Sequence, residues 1–482
     1  MTRRRTALAA VAAVAVLGLT ACDDVNTVTR PTAPVVLTGD DLPTLTGTAP
    51  GRIVAFRHAR VDGQPRWTQI PVQVDQRKVV PFGSQPTSNT TPGVAGTVYG
   101  SGSGGPTALQ YADPTTWVGA DSNAAFDADD ELVFMVADAG GKPRSAEQTE
   151  PAGVIAGSGV AVQVDDPNGE DETGWVHLFR TNGGLDPAAG QDYVSYRFQL
   201  TSGDYKTTYK RAGGPNPETS RVTTAAYEIG WTDRWTETDW RIHAGGASGV
   251  DILDGHKNQF AVNYCGRSNA TFNDAEGAFV ANIDGPVRGI RSYVGANSGP
   301  LTQRTHYMYR ERTDVVTNLR VHAIPAIMDY LDYSAAAQGM TYRSSALPGG
   351  VTIDGVQDAV PTTFPTWEAV NGAPGQVFTA GSVQTDAAGI VEGTTGFYRD
   401  QATPTEAQCW GDASYYGASG SWVQAAIPNT DPRTIPFNTL TSSRISQFGP
   451  PASSASAVAP AAADWAADVA VPLAITVAPY QP

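Results

Sequence analysis

The chain of 482 residues is dominated by short apolar stretches separated by glycine- and aspartate-rich turns. One example is the segment 67–75, where Ile70, Val72 and Val74 alternate with polar residues, as is typical of a half-buried β-strand. Asp-Gly and Gly-Gly pairs, which favour tight turns, recur along the sequence. Helical patterns are confined to residues 325–337 and 461–469. The sequence therefore predicts an all-β protein, with a large β-sandwich or super-sandwich body and few short helices.

The first 21 residues have the layout of an export signal. Three arginines at positions 3–5 precede an apolar run over residues 7–19, which is shorter than the roughly 20 residues of a membrane-spanning helix. The segment Leu19-Thr20-Ala21-Cys22 resembles the lipobox of bacterial lipoproteins, and the alanine- and valine-rich signal looks actinobacterial. The resemblance implies cleavage before Cys22 and a lipid on that cysteine, at the outer face of the cell membrane. The alternative is an ordinary signal peptide in which Cys22 is incidental.

Composition divides the remaining chain into three parts. Residues 22–50 are rich in Thr, Pro and Asp and predict a flexible tether that lifts the body off the membrane. Residues 51–200 predict an N-terminal β-sandwich portion, which contains a Gly- and Ser-rich mobile loop over residues 83–116. Residues 201–482 predict a larger C-terminal β portion.

The charge of the chain excludes some partners. The formal net charge is −16, and loss of the three signal-segment arginines leaves −19. Such an acidic chain has no basic stripe for nucleic acid, and it repels anionic lipid headgroups. We therefore expect no nucleic-acid partner and membrane contact through the lipid anchor only. The expected partner outside the cell is a carbohydrate polymer or an envelope component.

Cysteine and histidine usage agrees with export. With Cys22 lipidated, Cys265 and Cys409 remain, and two cysteines in an oxidising compartment predict one disulfide. The six histidines form no His-x-x-x-His pattern, and the cysteines form no Cys-x-x-Cys. The sequence therefore does not indicate a zinc site.

Two short segments resemble a known group of proteins. Residues 69–75 (QIPVQVD) and 126–134 (FDADDELVF) are similar to the opening β-domain of bacterial glycan-degrading β-sandwich proteins, including relatives of rhamnogalacturonan and uronate lyases. This likeness covers under a fifth of the chain and implies action on carbohydrate. The acidic turn of such proteins reads Asp-x-Asp-Gly, whereas this chain has Ala128 in the spacer and no glycine.

The same turn is the candidate metal site. Carboxylate oxygens of Asp127, Asp129 and Asp130 are ligands that calcium prefers. The alternative is a solvated turn in which the aspartates cap backbone amides. No cofactor is required by the predicted chemistry, and calcium is the one candidate ion.

Basic residues alternate near the middle of the chain. On a strand, Arg304 and His306 share one face and Tyr307 points to the other. A hairpin with an odd loop would place Arg320 opposite His306 and His322 opposite Arg304. Arginines can bind a uronate carboxylate, and a His or Tyr can remove the proton alpha to it, as β-elimination requires. The alternative is a structural ion-pair network. The candidate catalytic residues are Arg304, His306, Tyr307, Arg310, Arg320 and His322.

Aromatic residues provide candidate sugar-binding platforms, since sugar rings stack on aromatic faces. In a large β-fold, however, such residues are more often part of the core. The candidate substrate-binding residues are Trp231, Trp235, Trp240 and Trp410.

These features predict a cell-surface lipoprotein that acts on or binds extracellular carbohydrate. The most specific form of the prediction is a polysaccharide-lyase-like enzyme on acidic glycans, and a glycoside hydrolase is the other enzymatic form. The alternative is a non-catalytic surface lipoprotein that binds glycan, envelope material or a protein partner. An enzyme requires the arginine and histidine side chains to open into a groove. A purely structural role requires them to be buried and paired.

Overall fold

The computed structural model describes most of the chain. The described residues are 25–81, 107–201, 218–232, 235–259, 261, 277–295, 302–320, 326–386, 393–405, 409, 411–425 and 439–482. The signal segment, Cys22 and most of the predicted loop 83–116 lie outside these residues.

The described residues form 27 β-strands and one α-helix. The first fourteen strands are β1 (Pro34–Thr38), β2 (Ile53–Val61), β3 (Gln64–Ile70), β4 (Gln73–Asp75), β5 (Arg77–Pro81), β6 (Thr107–Tyr111), β7 (Glu131–Met135), β8 (Val160–Asp165), β9 (Thr173–Arg180), β10 (Val194–Arg197), β11 (Ser220–Thr224), β12 (Tyr227–Trp231), β13 (Glu237–Ile242) and β14 (Leu253–Gln259). The remaining elements are β15 (Gly277–Ile283), β16 (Gly289–Gly295), β17 (Gln303–Met308), β18 (Arg312–Arg320), β19 (Ile327–Tyr333), β20 (Thr341–Ser344), β21 (Leu347–Thr352), β22 (Glu368–Gly372), β23 (Gly375–Thr385), β24 (Thr394–Gln401), β25 (Tyr415–Val423), β26 (Thr439–Gly449), α1 (Ala455–Ala470) and β27 (Ala474–Pro479).

Two antiparallel sheets enclose the N-terminal core. One has the order β1-β7-β4, and the other has the order β27-β8-β9-β2-β3. Leu37, Phe134 and Val176, from β1, β7 and β9, meet in a single apolar cluster between them. The last strand of the chain, β27, pairs with β8 along its whole length. The N-terminal sandwich is therefore completed by the C-terminal end of the chain, so residue 200 does not divide the molecule cleanly.

Strand β7 joins this sandwich to the rest of the molecule. Successive side chains of a strand point to opposite faces of its sheet. Leu132 and Phe134 accordingly face the N-terminal core, whereas Val133 and Met135 belong to the core of the larger body. All five residues of β7 are buried, which explains why this strand lacks polar alternation.

The larger body is a β-sandwich. Its first layer is a nine-stranded antiparallel sheet with the order β15-β16-β17-β18-β26-β23-β22-β20-β21. The opposing layer consists of the sheets β10-β11-β12-β13 and β14-β19-β25-β24. These two are linked where the Ile252 amide donates to the Trp240 carbonyl at 3.0 Å. Buried side chains from all three sheets, including Tyr227, Leu331 and Phe448, form the shared core.

The outer face of the nine-stranded sheet is covered by two other elements. The β5–β6 hairpin packs Val80 and Tyr111 onto it. The alanine-rich helix α1 lies over β22 and β23 and buries Val458, Ala462 and Ala466, which are spaced four residues apart along one helix face.

The structure confirms the all-β fold and the large sandwich body. It also contains the helix predicted over residues 461–469, as part of α1. The helix predicted over residues 325–337 is wrong, because Ile327–Tyr333 forms β19 in the middle of a sheet. That strand is buried on both faces, so its apolar residues lack the two-residue alternation that would have revealed it. Among the described residues, no helix has the length and apolar character needed to span a bilayer.

The flexible tether predicted over residues 22–50 does not hold for residues 26–50, because this segment is hydrogen-bonded to the N-terminal sandwich from Asn26 onward. Pro34–Thr38 forms β1, with Val35 and Leu37 buried. Leu42 and Leu45 are fully buried in the N-terminal core. A few well-spaced apolar side chains are enough to fix this segment, although threonine, proline and aspartate dominate its composition.

Candidate functional site

The predicted catalytic hairpin exists, but its register differs from the expected one. Strands β17 and β18 pair antiparallel, with Arg304 opposite Thr317 and His306 opposite Val315. The expected pairings of His306 with Arg320 and of Arg304 with His322 are therefore wrong. The connection is a tight turn in which the Tyr309 amide donates to the Arg312 carbonyl at 2.8 Å, so the return strand begins earlier than predicted.

Arg304 is buried inside the larger sandwich. Its guanidinium donates to Thr317 Oγ1 at 3.0 Å and to the Asn258 side chain. It also lies 4.9 Å from the ring centre of Trp235. Burial lowers the pKa of Arg304 to about 10, which leaves it cationic at neutral pH. All of these contacts are internal, so Arg304 is not positioned to bind a polymer.

His306 is equally buried and contacts an acid of the opposite layer. Its Nδ1 lies 2.7 Å from Glu237 Oε1, and Glu237 Oε2 accepts the indole N–H of Trp240 at 2.9 Å. Burial lowers the pKa of His306 to about 4. Although burial opposes ionisation of Glu237, its contact with His306 and nearby positive charges lower its pKa to about 2. At neutral pH the pair therefore consists of a neutral imidazole and a charged carboxylate.

Further buried ion pairs lie in the interior of the larger sandwich. Arg291 binds both carboxylate oxygens of Glu218, at 2.8 and 2.7 Å. His256 Nε2 lies 2.7 Å from Asp329 Oδ1. We call the whole set the buried ionic layer; it comprises Glu218, Glu237, His256, Arg291, Arg304, His306, Asp329, Glu368 and Arg444.

The other predicted catalytic residues do not complete an open site. Arg310 is half-buried and lies in the turn, 3.2 Å from Glu311. Arg320 ends β18, and its side chain is outside the described part of the structure. His322 also lies outside the described residues. The structure thus places Arg304 and His306 in a paired interior network instead of a groove.

Three of the four predicted aromatic platforms are core residues. Trp231, Trp235 and Trp240 are each 1% exposed or less. Trp235 donates its indole N–H to Asn258 Oδ1 at 3.1 Å, and the Arg291 guanidinium lies 4.8 Å from the ring centre of Trp231. These rings therefore form walls of the buried ionic layer and cannot stack on a sugar. Trp410 lies outside the described residues.

Tyr307 points to the opposite face from His306, as strand alternation requires. Together with Arg77, Tyr111 and other polar residues it lines a small cavity of about 160 Å³ under the β5–β6 hairpin. The hydroxyls of Tyr307 and Tyr111 are 3.3 Å apart, and Tyr111 donates to Glu131 at 2.8 Å. Burial raises the pKa of Tyr307, which opposes a role as a base at neutral pH.

Arg288 lies beside this cavity and joins the two parts of the molecule. It is buried between Asp75 of β4 and Glu131 of β7, and its Nε donates to Asp75 Oδ2 at 2.9 Å. Its guanidinium also lies near the ring faces of Tyr111 and Tyr307, 5.6 and 5.3 Å from their centres. The N-terminal sandwich and the nine-stranded sheet are therefore connected by a buried salt bridge.

The predicted calcium ligands come together at one turn. Oxygen atoms of Asp127, Asp129 and Asp130 all lie within 4.8 Å of one another. Asp130 is fully buried, and its carboxylate accepts the backbone amides of Arg77 and Asp127 at 2.7 and 3.0 Å. Asp130 therefore caps backbone amides, as the alternative interpretation predicted. Calcium binding stays a prediction.

The cysteines are only partly described. Cys409 is disulfide-bonded, but Cys265 lies outside the described residues. The Cys265–Cys409 pairing and the lipidation of Cys22 therefore stay predictions.

A larger concavity lies elsewhere. A cleft of about 760 Å³ lies between α1, the N-terminal segment and the β17–β18 turn, within the range of about 300–1,000 Å³ that ligand pockets occupy. Ala461, Trp465 and Asp468 line it from one face of α1, while the neighbouring face of the helix packs on the sheet. Trp465 is half-buried, with its ring centre 5.9 Å from that of Phe378.

The charged groups of this cleft neutralise one another. Its lining contains two cations, Arg30 and Arg312, and three acids. Arg312 binds Asp314 through two hydrogen bonds of 2.6 and 2.8 Å. Arg30 contacts Asp166, and its Nε lies 3.3 Å from Asp468. The cleft therefore offers paired ions, amides and apolar surface, without an excess of positive charge.

Sequence reasoning missed this cleft entirely. Its walls come from residues 29–36, 309–314 and 461–475, with Phe378 and Gln447 from the sheet. No local motif connects segments so far apart. The only available signal was Trp465, a large aromatic residue within an otherwise alanine-rich helix.

Comparison with known proteins gave no match: no protein-family model matches the chain, and no curated protein sequence is significantly similar to it.

The first testable prediction concerns Arg288. Arg288→Met leaves Asp75 and Glu131 buried without their shared cation, and we expect a loss of about 3–5 kcal/mol in the free energy of unfolding. Adding Asp75→Asn removes one of these charges and recovers part of the loss. The matched control is Arg221→Met, which breaks the partly exposed ion pairs with Glu228 and Asp239 and costs about 1 kcal/mol or less. Urea unfolding measures all three; equal losses at Arg288 and Arg221 would contradict the prediction.

A second prediction concerns acid sensitivity. The folded-state pKa of His306, about 4, is below its ordinary value of 6.5, so the unfolded chain binds a proton there more readily than the folded chain. The contribution of this residue to stability is therefore complete above about pH 6.5 and declines as the pH falls toward 4. His306→Gln should have a flatter dependence over this interval, measured from urea midpoints at several pH values. Parallel curves for the two proteins would show the idea to be wrong.

A third prediction concerns the aspartate turn. Partial burial and the carboxylates of Asp127 and Asp130 raise the pKa of Asp129 to about 6. Ionisation of Asp129 above that pH therefore destabilises the fold, and this penalty disappears below its ordinary value of 3.8. In the presence of EDTA at neutral pH, Asp129→Asn should unfold at a higher temperature than the parent, with the difference shrinking in acid. Added calcium should then stabilise the parent more than the variant if the turn binds this ion.

Proposed function

We propose that this chain is an extracytoplasmic lipoprotein that binds a neutral carbohydrate in the cleft between α1 and the β17–β18 turn. The observation that carries the proposal is the cleft itself, about 760 Å³ in volume, with Trp465 on its wall. In this proposal the protein is a binding module and not a lyase.

The lining suits a sugar ring. Sugars have apolar C–H faces and a rim of hydroxyls, so they need an aromatic or aliphatic surface beside hydrogen-bonding groups. Trp465 and Val469 supply apolar surface on the α1 side. Thr32 and Gln447 supply hydroxyl and amide groups on the other side. In this proposal Trp465 is the aromatic platform for the sugar, in place of Trp231 and Trp235, which were predicted for that role and are buried.

The charges favour a neutral ligand over an acidic one. A uronate needs cations that are free to bind its carboxylate. In the cleft, Arg312 is bound by Asp314 and Arg30 by Asp166 and Asp468. Because the lining contains three acids and only two cations, an anionic sugar would be repelled.

The position of the acid–base residues supports binding without catalysis. His306 is 2% exposed and Arg304 is 1% exposed, so neither can touch a ligand in the cleft. Tyr307 lies in a separate cavity of about 160 Å³. Elimination at a uronate would require a base and a cation at one accessible place, and this requirement is not met by these residues.

The second part of the proposal is that the protein lies at the outer face of the cell membrane. It is supported by the lipobox-like sequence ending at Cys22 and by the disulfide at Cys409, which is typical of an oxidising compartment. The partner is accordingly carbohydrate of the envelope or its surroundings.

The fourth prediction tests the cleft. The lipidated full-length protein, in detergent, is screened against neutral and acidic oligosaccharides. Trp465→Ala should weaken binding of any neutral ligand by about tenfold or more, since an aromatic platform contributes on the order of 1–3 kcal/mol. Trp465→Phe should retain much of the affinity, because it keeps a ring on the cleft wall.

The control for this experiment is Trp175→Ala. Trp175 is also half-buried and lies under Lys142 in the N-terminal sandwich, away from the cleft. Thermal unfolding of each variant confirms that it is folded. Unchanged binding in Trp465→Ala, or unsaturated products from an acidic polysaccharide, would overturn the proposal.

A further inference from the structure

The N-terminal segment is fixed to the body almost from its first described residue. Asn26 donates its side-chain amide to the Val136 carbonyl at 2.9 Å. The Thr27 amide donates to the Thr173 carbonyl at 3.0 Å, and the Thr173 amide donates back to Thr27 Oγ1 at 2.8 Å. The Thr29 amide donates to the Glu172 carboxylate at 2.8 Å. The chain is therefore held to the N-terminal sandwich from residue 26 onward.

This attachment limits the distance between the body and the lipid. Four residue steps separate Cys22 from Asn26. A fully extended chain advances at most about 3.6 Å per residue, so the Cα atom of Cys22 lies within about 14 Å of that of Asn26 in any conformation of the intervening residues. A lipid on Cys22 consequently holds the body against the membrane surface, instead of at the end of a long tether.

The same segment forms a wall of the cleft. Thr29, Arg30 and Pro31 are part of its lining, and Thr29 is seven residue steps from Cys22. At most about 25 Å of extended chain thus connects the lipid to the cleft. With a lipid on Cys22, this wall of the cleft therefore stays within about 25 Å of the anchored cysteine, close to the membrane surface and to glycans attached to its lipids.

The lining has the two kinds of surface that a lipid-linked sugar presents. Val36, Val469 and Ile475 contribute apolar side chains. Gln447 and the Arg312–Asp314 pair contribute hydrogen-bonding groups. A ligand with an apolar and a sugar portion can therefore cover both surfaces at once.

Acidic residues near the anchor disfavour anionic membrane lipids. Glu170 and Asp171 are exposed on the loop that contacts Thr27, where the Thr27 hydroxyl donates to the Asp171 carbonyl at 3.4 Å. Acidic side chains this close to the bilayer repel anionic headgroups, because little solvent or salt intervenes at less than a Debye length.

We infer that the ligand of the cleft is a neutral glycolipid of the same membrane that holds the protein, bound through its sugar headgroup and the adjoining apolar chain. The inference rests on the proposed function, since it identifies the ligand class of the same cleft. It adds that the lipid anchor holds the cleft at the membrane surface, where this ligand lies.

The fifth prediction tests this with the full-length lipidated protein in nanodiscs of zwitterionic phospholipid. The probe is a diglucosyl diacylglycerol that carries a photoactivatable diazirine in one acyl chain. We expect it to cross-link to peptides spanning residues 461–475 when it shares the nanodisc with the protein. The yield should fall about tenfold when the probe is offered in separate nanodiscs.

A variant with about 30 Gly and Ser residues inserted between Asp24 and Val25 separates the anchor from the fold. The local concentration of a tethered partner falls roughly as the −3/2 power of tether length, so cross-linking should fall about tenfold. Binding of the free diglucose headgroup should be unchanged in this variant, which shows that the cleft is intact. Trp465→Ala should reduce both signals, and Trp175→Ala should reduce neither.

The outcomes distinguish the two proposals. If the insertion leaves cross-linking unchanged while Trp465→Ala still weakens binding of a free neutral sugar, the membrane inference is wrong and the binding function stands. If neither the probe nor any free sugar binds, both are wrong. A preference for an anionic glycolipid over the neutral one would also overturn the inference.

Discussion

Buried pairing of arginine with carboxylate is the interaction on which this architecture depends. Arg288 holds Asp75 and Glu131 where the N-terminal sandwich meets the nine-stranded sheet. Inside the larger sandwich, Arg291 and Glu218 form a second such pair between facing layers. Each charge would be costly to bury alone, so the layers are stable only in the arrangement that brings the partners together. The apolar cores supply the driving force for packing, while the ion pairs restrict how the sheets can be stacked.

This use of charge explains why the acid–base residues offer no route to catalysis. Strand β17 lies within the nine-stranded sheet, with β16 and β18 as neighbours, and both of its faces are covered. Arg304 and His306 therefore face other sheets, and Tyr307 faces the β5–β6 hairpin. Among the described residues, the cleft bordered by α1 and the N-terminal segment is accessible instead.

The all-β fold and the C-terminal helix were predictable, because alternating apolar residues, Asp-Gly turns and an alanine-rich stretch are local signals. Strand β19 was not, because a strand covered on both faces has no alternation and resembles a short buried helix. The alternation of Arg304, His306 and Tyr307 was read correctly, but the register depended on a turn whose length the sequence does not specify. The cleft could not be found from sequence, since Thr32, Arg312 and Trp465 meet only in the folded chain.

The proposed export gives strand β27 a consequence for how the protein folds. A chain that crosses a membrane from its N-terminus presents β8 and β9 outside long before residues 474–479 arrive. Until then one edge of the N-terminal sheet has unpaired backbone groups, and the apolar side chains of Ile475 and Val477 are missing from its core. Exposed edges of this kind are templates for association between chains. In the proposed export, emergence from the N-terminus thus leaves an intermediate with an unpaired strand edge, which is paired only when the carboxyl end of the same chain emerges.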